Sequence, residues 1–171
     1  MKFMLTMKNE IKKVTKETID VFSDILKEAA EWMISKEFMN WDPTQFTVEA
    51  VLRDCDINEL YLCYINDEPA GCLRLQNEDE MFWPDKPAGD ALYIHKLAVR
   101  RRFAGMGVSK VMIDWVKNHA ADKGVPYVRL DCIANRKKLC KIYMNQGFKQ
   151  VDERQVFGDS PTARFEYRVN K

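Results

Sequence analysis

Hydrophobic positions along the chain change their spacing several times, and each change marks an element. Phe22, Leu26, Ala29, Ala30 and Met33 recur at helical spacing, with Val21, Ile25 and Trp32 widening the same face. This predicts a long helix buried on one side, capped by Thr15 and broken by Asn40-Trp41-Asp42-Pro43. Glu10–Val14 reads as a short strand before it, and Phe46–Leu52 as a shorter helix after it. Leu60–Ile65 and Ala70–Leu75 are strand-like runs joined by the turn Asn66-Asp67-Glu68-Pro69, a β-hairpin. Gln76–Asp90 is a long polar loop interrupted by Met81-Phe82-Trp83, and a loop of that length in a compact domain is commonly functional.

The second half repeats the alternation of strand and helix. Ala91–Val99 is a strand, and Val108, Val111, Met112, Trp115, Val116 and His119 mark one face of a helix stopped by Gly124 and Pro126. Tyr127–Cys132 is a strand with Val128, Leu130 and Cys132 on one face. Leu139, Ile142 and Tyr143 share a face of a further helix that ends at Gly147. Phe148–Phe157 and Ala163–Val169 are closing strands. The order predicts an α/β (α+β) fold, residues 1–171 forming a single domain. Its mixed, mostly antiparallel sheet has about seven strands, with helices on both faces.

Composition narrows the classes. With 171 residues, 46% hydrophobic and 31% charged, the chain is an ordinary globular protein able to bury a sizeable core. A net charge of +1 gives no reason to expect nucleic acid or an anionic membrane as partner. No apolar stretch approaches the roughly 20 residues of a membrane span, and Met1–Thr6 is too short and polar for a signal peptide. Five cysteines (55, 63, 72, 132 and 140) contain no CxxC pair, so no metal is expected and the compartment reads as a reducing cytoplasm.

The chemistry concentrates after the Ala91–Val99 strand. Arg100-Arg101-Arg102-Phe103-Ala104-Gly105-Met106-Gly107 forms a basic turn with two glycines, and an amphipathic helix follows at once. Glycines let backbone N–H groups face an anion, and the helix N-terminus adds about half a positive charge. Such a turn suits phosphate. It lacks the Gly-Lys-Ser/Thr of a P-loop. A dinucleotide fingerprint would need a third glycine where Lys110 stands, although Asp131 could serve as its ribose-binding acid.

Leu97-Ala98-Val99 followed by Gly105-Met106-Gly107-Val108-Ser109 resembles the coenzyme-A loop of the GNAT superfamily of N-acetyltransferases. Two registers fit: Arg102-x-x-Gly105-x-Gly107, or, counted from the strand without a gap, Ala104, Gly107 and Ser109 at the three motif positions. The gap-free register is preferred. Tyr143-Met144-Asn145-Gln146-Gly147-Phe148 resembles the family's Tyr-x-x-x-Gly-Phe segment. The resemblance implies acetyl-CoA as donor and direct attack by an amine, so that neither Cys132 nor Cys140 is needed as nucleophile. It also implies pyrophosphate binding by the backbone of Ala104, Gly105, Met106, Gly107, Val108 and Ser109, pantetheine contacts at Leu97 and Val99, and a further coenzyme contact at Asn135. Tyr143 is the expected general acid for the leaving thiolate. His95, two residues before Leu97, is the expected base, since imidazole is the side chain whose unperturbed pKa, about 6.5, suits proton transfer near neutrality.

The acceptor is a small-molecule amine or a peptide, and a homodimer is left open. Glu78, Asp79 and Glu80 would attract a cationic amine, and Trp32, Phe38, Trp41, Phe82 and Trp83 are candidate pocket walls. A non-catalytic acyl-CoA sensor and a dinucleotide-binding protein are the alternatives.

Overall fold

The structure is a computed structural model that describes residues 7–38 and 41–170; the expectations for Met1–Thr6 and Asn40 lie outside the described residues. In chain order the elements are β1 (Asn9–Lys13), α1 (Ile19–Ser35), a 3-10 turn (Pro43–Phe46), α2 (Val48–Asp54), β2 (Leu60–Ile65) and β3 (Glu68–Gln76). They continue with β4 (Ala91–Val99), α3 (Val108–Asp122), β5 (Tyr127–Ile133), α4 (Lys137–Asn145), β6 (Lys149–Arg154) and β7 (Thr162–Arg168). The strands form a seven-stranded mixed sheet in the order β1-β2-β3-β4-β5-β7-β6. β4 and β5 pair in parallel, which requires a crossover, and α3 supplies it. The β1–β2, β2–β3, β5–β7 and β6–β7 pairs are antiparallel.

The chain divides into two compact units, one running to Arg74 together with Lys96–Met112, the other comprising Leu75–His95 and the chain from Ile113 onward. In the first, the α1 residues Phe22, Ile25, Leu26 and Ala30 are fully buried and pack with Leu60 and Leu62 of β2, Cys72 of β3 and Ala98 of β4. Each large side chain removed from water contributes about 1.5–3 kcal/mol, which explains why the helical period is the strongest signal here. Ser23 is buried on the same face without penalty, because its hydroxyl donates to the Phe46 carbonyl. In the second unit, Val128 and Leu130 of β5 and Ala163 and Phe165 of β7 are buried along an antiparallel ladder.

Several boundaries differ from expectation for local reasons. The N-cap of α1 is Thr18, not Thr15. A turn intervenes, in which Thr18 N–H donates to the Thr15 carbonyl at 3.1 Å and the Thr18 hydroxyl accepts from Thr15 N–H at 2.9 Å. Phe46 closes a 3-10 turn rather than opening a helix; Thr47 then caps α2 by accepting from Ala50 N–H at 3.2 Å. The hairpin turn is only Asn66-Asp67, whose φ values of +49° and +66° make the tight primed turn that matches strand twist. Pro69 therefore lies inside β3, tolerated beside the register shift at Cys63/Tyr64.

Candidate active site

The glycine turn belongs to the first unit. Gly105 and Gly107 have φ of +78° and +79°, which other residues adopt only at a cost. The amides of Ala104 and Met106 are used inside the turn, donating to the carbonyls of Arg101 (3.1 Å) and Phe103 (3.2 Å). Val111 N–H makes the first bond of α3, to the Gly107 carbonyl at 3.1 Å. The amides of Val108, Ser109 and Lys110 precede that bond and open the helix, with the dipole's positive end behind them. The three arginines before the turn have protein partners. Arg100 meets Glu28 at 3.5 Å, the Arg101 guanidinium lies 4.0 Å from the Trp32 ring centroid, and Arg102 meets Glu68 at 2.8 Å.

β4 is irregular where the chemistry is expected. Lys96, between His95 and Leu97, has φ +52°, and a left-handed residue inside a strand costs on the order of 1–2 kcal/mol. It interrupts the two-residue alternation, so the face of Tyr93 and His95 does not continue by simple alternation to Leu97 and Val99. Leu97 and Val99 are half-buried.

In the second unit the β4–β5 ladder stops at Tyr93 and Arg129. His95 and Asp131 each stand two residues past that last pair, so one position on each strand faces the end of the ladder. His95 Nε2 lies 2.9 Å from Asp79 Oδ2, and the nearest polar atoms of Asp79, His95 and Asp131 are all within 4.8 Å of one another. Asp79 comes from the β3–β4 loop and is fixed by its other oxygen, which accepts from the amides of Met81 (3.1 Å) and Phe82 (2.9 Å). Burial raises the Asp79 pKa, but the His95 bond and these amides outweigh it and leave the group below its ordinary value. Asp131 behaves oppositely. Burial and the neighbouring Asp79 charge push its carboxyl up to about 6, although His95 and the Trp83 N–H, 3.4 Å away, pull the other way. These donor types could also hold a metal ion, but both carboxylates already have partners in His95 and Trp83.

Tyr143, on α4, is buried with its ring against Phe148 and Phe165, at centroid distances of 6.4 and 5.7 Å. Burial, then the Cys132 and Asp131 charges, drive its hydroxyl pKa upward and keep it protonated. Cys132 and Cys140 are free thiols 3.6 Å apart. Asn135 is exposed in the β5–α4 turn, where its carbonyl accepts from Lys137 N–H at 2.9 Å. His119 stacks on Trp115 at 4.8 Å, a packing role.

Residues 26–148 match the Acetyltransferase (GNAT) family, most of the chain. The chain belongs to the GNAT acetyltransferase family. A Bacillus subtilis (strain 168) relative described as an uncharacterized N-acetyltransferase, YesJ, is 24% identical over 146 residues, covering 78% of this chain and 77% of its own. A GNAT-family acetyltransferase structure from Listeria monocytogenes 4b F2365 superposes with a TM-score of 0.73 at 19% identity, covering 94% of this chain and 95% of that one. The Escherichia coli ribosomal-protein-S18-alanine N-acetyltransferase gives a TM-score of 0.70 at 13% identity and 96% coverage of each chain. The PaiA N-acetyltransferase from Thermoplasma acidophilum, solved with coenzyme A, gives 0.69 at 15% identity, covering 95% and 99%. At these identities the solved structures show the GNAT fold.

The carboxylates around His95 were not legible as a site. Asp79 reads in sequence as one of three acids attracting a cation, and Asp131 only as a ribose-binding acid. The missing information is the parallel register that sets Asp131 beside His95. Two buried arginines were also missed. Arg129 (2% exposed) bonds Asp90, Glu166 and the Tyr93 hydroxyl, and Arg164 (0%) bonds Asp85, Asp152 and the Phe82 carbonyl. Both pin the loop that carries Asp79. Their one signal was a charge inside each apolar strand, at Val128-Arg129-Leu130 and Ala163-Arg164-Phe165.

Proposed function

We propose that this GNAT protein is a cytoplasmic N-acetyltransferase whose two units act as one domain, transferring the acetyl group of acetyl-CoA directly to an acceptor amine. The reading is carried by one observation: a buried tyrosine and a histidine flanked by two carboxylates of opposite pKa tendency lie in the same compact unit. The coenzyme in the PaiA structure supports the donor assignment, and five free thiols support a reducing compartment.

An alkylammonium must lose a proton before it attacks, and its pKa near 10 makes a base useful at neutral pH. His95 accepts that proton, directly or through water. Asp79 orients the ring through Nε2, so the free acceptor nitrogen is Nδ1, and Asp131 is the second basic site beside it. Tyr143 donates to the departing thiolate. The amides opening α3, with those of Gly105 and Gly107, receive the pyrophosphate; Leu97, Val99 and Asn135 contact the pantetheine.

The test is coenzyme release from acetyl-CoA across a panel of amines and peptides, with Tyr143→Phe in parallel. The variant keeps the ring packing and loses the proton. Turnover should fall on the order of 10²-fold with coenzyme affinity unchanged. Full turnover in Tyr143→Phe removes the acid assignment, and coenzyme binding without acetylation of any acceptor favours a non-catalytic sensor.

A further inference from the structure

Within the second unit, residues of α4 and β6 line a cavity of about 490 Å³. Counting about 30 Å³ per water-sized group, it has room for roughly 16 heavy atoms, the scale of a small peptide. The buried thiol of Cys140, 6% exposed, is part of its wall. Lys137 and Lys141, exposed and one turn apart on α4, also line it, with Met144 beside them and Gln150 and Glu153 from β6. Glu153 is the one carboxylate in the lining, and its Oε1 already accepts from Gln150 Nε2 at 3.3 Å. The cavity is therefore net positive around a cysteine.

A second thiol stands beside the first. Cys132 Sγ, on β5, lies 3.6 Å from Cys140 Sγ, and both residues are free. Burial, then the neighbouring Cys140 through its charge and its hydrogen bond, raises the Cys132 pKa and holds its proton. Cys140, reached from the cavity, is thus the entry thiol and Cys132 the resolving one. Once Cys140 is capped in a mixed disulfide, its charge and its bond no longer hold the Cys132 proton. Burial penalises a thiolate but not a neutral disulfide, so the dry setting that slows the first step does not oppose the product. The pair also adjoins the chemistry: Tyr143 follows Cys140 by three residues on the same face of α4, and Asp131 precedes Cys132.

We propose that this cavity docks a small anionic disulfide, which converts Cys140 and Cys132 to a disulfide that ties α4 to β5 and lowers acetyl transfer. The Cys140 thiolate attacks one sulfur of the reagent, whose S–S bond breaks, and the leaving half takes up the Cys140 proton. Cys132, deprotonated in turn, attacks Cys140 Sγ and displaces the other half as a second thiol. Two protein thiols are oxidised, and one small disulfide is reduced to two thiols. The protein sulfurs must close from 3.6 Å to about 2.05 Å, and α4 carries Cys140 and Tyr143 together. A misplacement of about 1 Å costs on the order of 10²-fold in rate. The clause on acetyl transfer rests on the role given to Tyr143 above.

The experiment treats the reduced full chain with glutathione disulfide, which is net anionic, or with cystamine, which is net cationic, at equal concentration and pH. Trypsin cuts after Arg136 and Lys138, between the two cysteines, so their peptides stay together only when the disulfide joins them. Non-reducing mass spectrometry reads the rate at which the linked pair forms. In the parent the pair should form, with acetyl transfer falling about tenfold or more and returning with dithiothreitol. The ratio of the glutathione disulfide rate to the cystamine rate should fall about fivefold or more in a Lys137→Gln/Lys141→Gln variant, whose substitutions are on exposed side chains. Cys140→Ala should keep its turnover through the same treatment. The rise in Tm caused by coenzyme A serves as a control for folding in each variant. Absence of the linked pair in the parent, or an unchanged ratio in the lysine variant, overturns the site. A linked pair with unchanged turnover overturns the effect on acetyl transfer. Linking with the expected ratio in a protein that acetylates no amine upholds the site and overturns the catalytic reading instead.

Discussion

Asp131→Asn changes a charge and almost no volume, and the amide oxygen can still accept from the Trp83 N–H, now 3.4 Å from Asp131 Oδ2. The folded-state pKa is raised from an ordinary 3.8 to about 6. At 1.36 kcal/mol per unit, that corresponds to a cost of about 3 kcal/mol for holding the ionised group in the fold. The sign follows from proton counting. Between about pH 4 and 6 the unfolded chain has released this proton and the folded chain retains it, so unfolding releases a proton and stability falls as pH rises through that window. Asparagine removes this contribution. Urea denaturation from pH 4 to 8 should show the variant gaining on the parent as pH rises, by up to about 3 kcal/mol above pH 6, with little pH-dependent difference below pH 4. The same variant should lose acetyl transfer, because the second basic site beside His95 is gone. Asp79, Asp85 and Asp152 have lowered pKa values, so their contributions disappear only as pH falls below about 4 and do not mask the effect. A stability difference that stays flat from pH 4 to 8 would refute the account of Asp131 as a carboxyl raised by burial.

Gly107→Asp places a side chain at φ +79° and a negative charge at the start of α3; coenzyme A affinity should fall at least tenfold, about 1.4 kcal/mol, in a titration with folding checked by circular dichroism. Unchanged affinity removes the turn from the coenzyme site. Arg164→Met removes the partner that holds Asp85 at about 2 and bonds Asp152, and leaves Arg154 at 3.3 Å from each. Both carboxylates are partly exposed, so the loss of stability should be about 2–4 kcal/mol, below the full cost of breaking a buried pair. Faster amide exchange over residues 77–90 should accompany it, and protection equal to the parent's would show that Arg164 does not hold the loop.

Local periodicity was enough to find the strands and helices, since α1 and the β2–β3 hairpin bury a face whose spacing the sequence prints directly. The Gly105-Met106-Gly107 turn and the Tyr143 helix were legible for a similar reason: a backbone turn and its flanking elements are contiguous in the chain, and the family resemblance rests on such contiguous blocks. Thr18 rather than Thr15 as the cap, and Pro69 inside β3, were not legible, because the turn before α1 and the bulge beside β3 depend on what the neighbouring backbone bonds. The least legible feature was the setting of His95. Asp79 is 16 residues before it and Asp131 is 36 after it, and their meeting is fixed by a parallel β4–β5 ladder that ends after Tyr93 and Arg129. Register between distant strands is decided by the packing of whole faces, and the pKa of Asp131 by the water excluded there. The sequence by itself therefore determined the order of elements and the residue types available for acetyl transfer. Only the tertiary structure decided which carboxylates surround the histidine, because burial and long-range charge have no counterpart in local spacing.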